Sequence, residues 1–169
     1  MASACPDCGF DSSSVSPGDA VVALRSFARR FRSLGEPADG DDGDARPDLA
    51  ESDQVRRRAT AATEAGQAAD AMAELGADLR AVLVEDDPAL DTVEGTATTI
   101  RSGGDPLTAF DRLAATADSV AALAVDQPGN AWTRTGRRAT GAVSAADLLR
   151  EAVHAGVHHL RAAEADQPR

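Results

Sequence analysis

The side chains best suited to chemistry lie at the two ends of the chain. All three histidines fall in one short stretch near the C-terminus, at His154, His158 and His159. His154 and His158 are spaced i, i+4, which stacks them one turn apart on a single helical face. Two imidazoles so placed reach one divalent cation, with the remaining ligands supplied by a neighbouring helix. Counted at about 100° per residue, the pair lies well away from the apolar stripe of Leu149, Val153, Gly156 and Leu160. It shares its side of the helix with Asp147, Glu151 and Arg161. The competing reading is a solvated polar face carrying idle histidines. At the other end, Cys5-Pro-Asp-Cys8 is half of a zinc knuckle or a redox dithiol. A closed zinc site needs four ligands and there is no second Cys-x-x-Cys. Recruiting His154 or His158 requires the N-terminal segment to fold back onto the last helix. The strand-helix context of a thioredoxin-like motif is missing, so the plainer expectation is a flexible tail with two reduced thiols. No glycine-rich phosphate loop and no locally supported Ser/His/Asp arrangement is present.

Those residues have to be positioned by helices. Ser16 can cap, Pro17 suits a first helical position and Asp19 stands where a capping-box acid belongs. Leu24, Phe27, Ala28, Phe31 and Leu34 then follow along one helical face up to Gly35, which ends the helix. A second helix is expected from about 59 to 84, with Ala65, Ala68, Ala69, Met72, Leu75, Leu79, Val82 and Leu83 on its apolar face, closed by Asp86, Asp87 and Pro88. Asp105 and Pro106 open a third, with a stripe from Leu107 and Phe110 to Ala124. Ser144 and Asp147 form another capping box that opens a last helix to about 163. Residues 36–54, rich in Asp, Gly and Pro, read as a mobile acidic loop, because such a segment buries too little apolar area to offset its ordering entropy. Residues 89–104 read as irregular and polar, and 128–138 as a Pro/Gly/Arg-rich connection. No strand alternation appears. Helices with one apolar stripe each must pack together, which predicts an all-α four-helix bundle over 16–165 preceded by a flexible Cys-x-x-Cys tail at 1–15. Connections of this length leave room for a topology other than up-down-up-down.

Composition narrows the function. In 169 residues there are 17 basic residues, all arginine, against 20 Asp and 8 Glu, for a net charge of −11. Such a balance excludes a basic nucleic-acid clamp, since neutralising phosphates needs a cationic face. No apolar run is long enough to span a membrane, and no secretory leader precedes Ser16, so a cytoplasmic location is expected. An Asp-rich, lysine-free chain with few aromatics fits a salt-accumulating halophile, where molar salt shortens the Debye length to about 3 Å and screens self-repulsion.

Several segments taken together carry a resemblance. Cys5-Pro-Asp-Cys8-Gly9-Phe10 and the run Ala23 to Leu34 resemble the opening of DinB-like proteins from high-GC prokaryotes. Val55-Arg-Arg-Arg58, Val84-Glu-Asp-Asp-Pro88, Ala131-Trp-Thr-Arg-Thr-Gly-Arg137 and His154-Ala-Gly-Val-His158-His159 continue it in the same order, over essentially the whole chain. The resemblance implies a four-helix bundle of the DinB and mycothiol-dependent maleylpyruvate isomerase type, often a homodimer. It implies a divalent metal, zinc or nickel, held between one histidine of the second helix and an HxxxH pair of the fourth. It also implies a transferase or isomerase reaction using a low-molecular-weight thiol. His154 and His158 match that pair. The second-helix histidine has no counterpart: its place falls near Gln67, with Glu64 and Asp70 one turn either side, and the tryptophan two turns earlier is also missing. A Gln oxygen is a poor ligand for a borderline-soft metal, whereas Glu64 or Asp70 with two histidines is an accepted zinc set. Three readings follow. The first is a metal-dependent enzyme in which His154, His158 and one of Gln67, Glu64 or Asp70 leave a position open for an activated water or thiol. The second is a non-catalytic dimerising bundle. The third has Cys5 and Cys8 coordinating zinc, within one chain or across subunits.

Overall fold

The computed structural model describes residues 4–36, 47–90 and 105–165, with backbone only for 47–50. Four α-helices are described: α1 Pro17–Leu34, α2 Pro47–Val84, α3 Pro106–Ala124 and α4 Ala145–Ala165. Their starts follow from the capping residues. Ser16 Oγ accepts from the Asp19 N–H at 3.2 Å, and the Asp19 carboxylate accepts from the Ser16 N–H at 3.4 Å, so two orphan donors of the first turn are satisfied. Asp105 caps α3 by accepting from the Leu107 N–H at 3.2 Å. Ser144 Oγ accepts from the Asp147 N–H at 3.1 Å. Gly35 caps the end of α1 as expected, but in right-handed conformation (φ −90°). Its small size is used differently, because a Cβ there would come within 3.2–3.4 Å of Arg58 on α2.

Two departures from the sequence expectation stand out. Helix α2 begins at Pro47, not near 59, so the end of the supposed acidic loop is helical; the rest of that loop, residues 37–46, lies outside the described residues, as do 91–104. No residue from Glu51 to Thr60 is fully buried, and the first core side chain of α2 is Ala61. That first stretch therefore shows no apolar periodicity. Its Glu, Gln, Ala and Arg residues are strong helix formers, which suffices once the buried part has nucleated the helix. The second departure is a two-stranded antiparallel hairpin, with β1 Thr135–Arg138 at the end of the segment read as a connection and β2 Gly141–Ser144 just beyond it, ending at the cap of α4. Along β1 only Gly136 is buried, so there is no run of alternating apolar side chains to detect. A Cβ at Gly136 would meet Val82 at 2.8 Å and Leu90 at 2.9 Å, which explains the glycine.

The helices run around the bundle in the order α1, α3, α2, α4. Helix α2 packs mainly on α3 and α4, α1 also packs on α3 and α4, and the sequential pairs α1/α2 and α3/α4 sit across the diagonals. The core between them holds Leu24, Phe27, Phe31, Met72, Leu79, Phe110, Leu113, Leu148, Leu149, Val153 and Leu160 among many alanines. Leu107, expected on the α3 stripe, is 49% exposed. Among the described residues no polar or charged side chain is fully buried, and no helix is long and apolar enough to cross a membrane.

The hairpin and its flanks close one end of the bundle. Arg134 donates from Nε to the Val82 carbonyl at 2.8 Å and from its guanidinium to the Glu85 carbonyl at 2.6 Å, so it satisfies last-turn acceptors of α2. Backbone bonds from Leu90 N–H to Arg137 O and from Arg137 N–H to Pro88 O, each 2.8 Å, lay residues 88–90 beside β1. Arg138 reaches Glu151 at 2.8 Å and Asp78 at 3.2 Å, tying β1 to α4 and α2. The segments 84–88 and 131–137, far apart in sequence, are thus one structural unit.

Candidate metal centre

The N-terminal segment expected to be a flexible tail is folded against α4. Cys5 and Cys8 bracket a single turn closed by the Gly9 N–H donating to the Cys5 carbonyl at 2.8 Å, with Gly9 at φ +69°. That left-handed conformation is one glycine adopts without steric cost. The Cys5 N–H donates to the Phe10 carbonyl at 2.9 Å, and a 3-10 turn at Ser12–Ser14, capped by Asp11, leads into α1. The Phe10 ring stacks on His154 with centroids 5.4 Å apart and planes 8° from parallel. Arg150 of α4 donates to the Val15 carbonyl at 3.0 Å.

This docking brings both ends of the sequence together. One ligand atom from each of Cys5, Cys8, His154 and His158 lies within 4.8 Å of every other. All four residues are half-buried. Tetrahedral zinc, with Zn–S near 2.3 Å and Zn–N of about 2.0–2.1 Å, spaces its ligand atoms about 3.3–3.8 Å apart. The observed spread therefore needs only a small contraction. His154 Nε2 is buried without a hydrogen-bond partner in the protein. A buried imidazole nitrogen left unpaired beside two thiols is the feature an ion would satisfy. The donor set, two sulfurs and two imidazoles, suits a borderline-soft metal ion such as zinc.

The two sulfurs differ in electrostatics. The Cys5 thiol is lowered to about 6, chiefly by the backbone N–H of Cys8 and then that of Asp7 directed at its sulfur, with the His154 imidazole adding to them. The Cys8 thiol is raised, because burial disfavours its thiolate. In metal-free protein at pH 7, iodoacetamide is therefore expected to alkylate Cys5 well before Cys8, with the Cys5 rate rising through a midpoint near pH 6. Peptide mapping after a timed pulse checks this; equal labelling of both would contradict it.

The α2 residues expected to complete a histidine site are arranged otherwise. Glu64 Oε2 accepts from His159 Nδ1 at 2.7 Å, with both side chains 21% exposed, so the third histidine binds this acid and ties α4 to α2. Asp70 pairs with Arg112 of α3 at 2.7 Å. Gln67 is half-buried on α2 between them. No acid of α2 is among the four clustered residues. The His154 and His158 rings meet edge-on, centroids 6.0 Å apart, under the N-terminal segment. Their half-buried state corrects the expectation of a solvated polar face. The cover comes from a segment about 140 residues away in sequence, which periodicity within α4 does not report.

Comparison with family models, curated proteins and solved structures gives no match. A shallow groove between α2 and α3, lined by Ala73, Gly76, Arg80, Ala115, Ser119 and Leu123 among others, draws no residue from α4 or the N-terminal segment and so is separate from the candidate metal centre.

Proposed function

We propose that this chain is a metal-binding helical bundle in which Cys5, Cys8, His154 and His158 hold one zinc ion, and that the ion is structural. The observation that carries this reading is the convergence of four ligand atoms within 4.8 Å, from a knuckle turn and an HxxxH pair. Four protein ligands close a tetrahedral zinc site and leave no position for water or substrate, as structural rather than catalytic sites do. All four come from one chain, so the centre does not depend on a second copy. Of the two metals considered, zinc suits this tetrahedral thiolate–imidazole set better than nickel. When bound, zinc would supply ligand bonds that join the N-terminal segment to α4.

A second reading is the thiol-dependent transferase or isomerase suggested by the resemblance to DinB-like proteins, with an open metal on His154, His158 and one of Glu64, Gln67 or Asp70. The HxxxH pair favours it. Against it, Glu64 and Asp70 are engaged by His159 and Arg112, and the sulfurs of Cys5 and Cys8 lie where they can take the remaining metal positions.

Elemental analysis of protein purified without a histidine tag separates the two. One zinc per chain is expected, lost in Cys5→Ser, Cys8→Ser, His154→Ala and His158→Ala and kept in Glu64→Ala. Metal that survives both cysteine variants but not Glu64→Ala or His154→Ala would overturn the closed site in favour of the open one. Metal-free wild-type protein that takes up no zinc would sink both.

A further inference from the structure

The knuckle turn is only lightly anchored to the helices. No residue from Ala4 to Asp19 is fully buried, so the segment has no core side chain of its own. Apart from the clustered cysteines, its contacts include the stacking of Phe10 on His154, the Arg150–Val15 hydrogen bond and the packing of half-buried Phe10 and Val15 against the core. Its two sulfurs belong to the only cysteines in the sequence, lie within 4.8 Å of each other on one turn, and are half-buried and therefore reachable by a small reagent.

We propose that this centre is a peroxide-sensitive latch: oxidation joins Cys5 to Cys8 as a disulfide, frees the zinc and lets the N-terminal segment leave α4. This rests on the zinc reading above. The chemistry balances with a hydroperoxide as oxidant. One cysteine thiolate attacks the peroxide oxygen, an S–O bond forms as the O–O bond breaks, and water or an alcohol leaves after protonation. The second thiolate attacks that sulfenic sulfur, the S–S bond forms, and hydroxide leaves as water. The two sulfurs together lose two electrons and the peroxide gains them, while zinc remains divalent. A disulfide is a far poorer ligand than two thiolates, so zinc is left with two imidazoles of α4. Glu64 and Asp70 of α2 are already paired with His159 and Arg112, so replacing the lost sulfurs would cost those pairs.

The test uses full-length, zinc-loaded protein titrated with hydrogen peroxide in the presence of a chromogenic zinc chelator. Intact mass and amide exchange are read at each point. The expected result is one zinc released per chain, with loss of the mass of two hydrogens from the protein and faster exchange across residues 4–16. A dithiol reductant with added zinc should reverse all three. Zinc that stays bound in excess peroxide, or leaves only as the thiols become sulfinic acids or cross-link two chains, overturns the latch and leaves the zinc reading standing. Release with unchanged exchange over residues 4–16 overturns the opening. Protein that never binds zinc fails at the earlier step, so the two failures are distinguishable.

Discussion

Stripping zinc from the loaded protein is expected to lower its thermal midpoint by about 8–16 °C while leaving most of its helical circular dichroism in place. The size follows from linkage. An ion that binds the folded chain and not the unfolded one stabilises by about 4 kcal/mol when free zinc exceeds its dissociation constant a thousandfold. For a chain of this length each kcal/mol moves the midpoint by about 2–4 °C. Some zinc affinity of the unfolded Cys5–Cys8 turn would bring the shift toward the lower end. The helices should persist because none of the four ligands is among the fully buried core residues, which form a continuous cluster without them. Amide exchange should rise first over residues 4–16, whose other holds are the Phe10–His154 stack, the Arg150–Val15 bond and the half-buried packing of Phe10 and Val15. Thermal scans before and after dialysis against a chelator check this. A midpoint unmoved after verified metal loss would mean that zinc does not join the segment to α4.

The second large effect is expected beneath the histidines. Gly156 sits between His154 and His158 and faces inward, where a Cβ would meet the ring of Phe27 and come within 2.6 Å of Met72 Cε. The glycine lets α4 lie close against α1 and α2. Phe27→Ala should cost about 3–5 kcal/mol, since Phe27 is 0% exposed and its removal leaves a cavity at that crossing. Gly156→Ala should cost about 1–3 kcal/mol by overpacking, partly offset by the roughly 1 kcal/mol advantage of alanine in a helix. The informative measurement is the pair. In a Phe27→Leu background the Gly156→Ala cost should shrink, because the clashing ring has gone and only the flexible end of Met72 has to give way. Urea unfolding of the four proteins gives the coupling, and strict additivity would show that the two positions do not share the space. Because Gly156 lies between the two proposed metal ligands of α4, its alanine variant should also bind zinc more weakly than wild type.

Much of the architecture was legible from residue order. Ser16 with Asp19, Asp105 with Pro106 and Ser144 with Asp147 mark helix starts through local chemistry within three residues, and the structure uses each of them. The stripes of α1, α3 and α4 follow 3.6-residue periodicity because each packs one face inward. Where burial is weak or one-sided by a single residue, the signal fails. The exposed start of α2 has no stripe, and β1 buries only Gly136. The motif segments 84–88 and 131–137 were visible as composition alone; their meeting, through Arg134 on the Val82 and Glu85 carbonyls, is a contact across 52 and 49 residues.

Residue order set most of the helical elements, their caps, the i, i+4 histidine pair and the Cys-x-x-Cys spacing, since each depends on neighbours a few residues apart. Only the tertiary structure decided which ligands belong together. It paired Glu64 with His159 and Asp70 with Arg112, taking the acids that the resemblance had offered to the histidines, and it laid Cys5 and Cys8 over His154 and His158 instead. The reason is physical: a face of α4 that is polar by periodicity becomes half-buried when a distant segment covers it. No local pattern encodes a contact between residue 5 and residue 154.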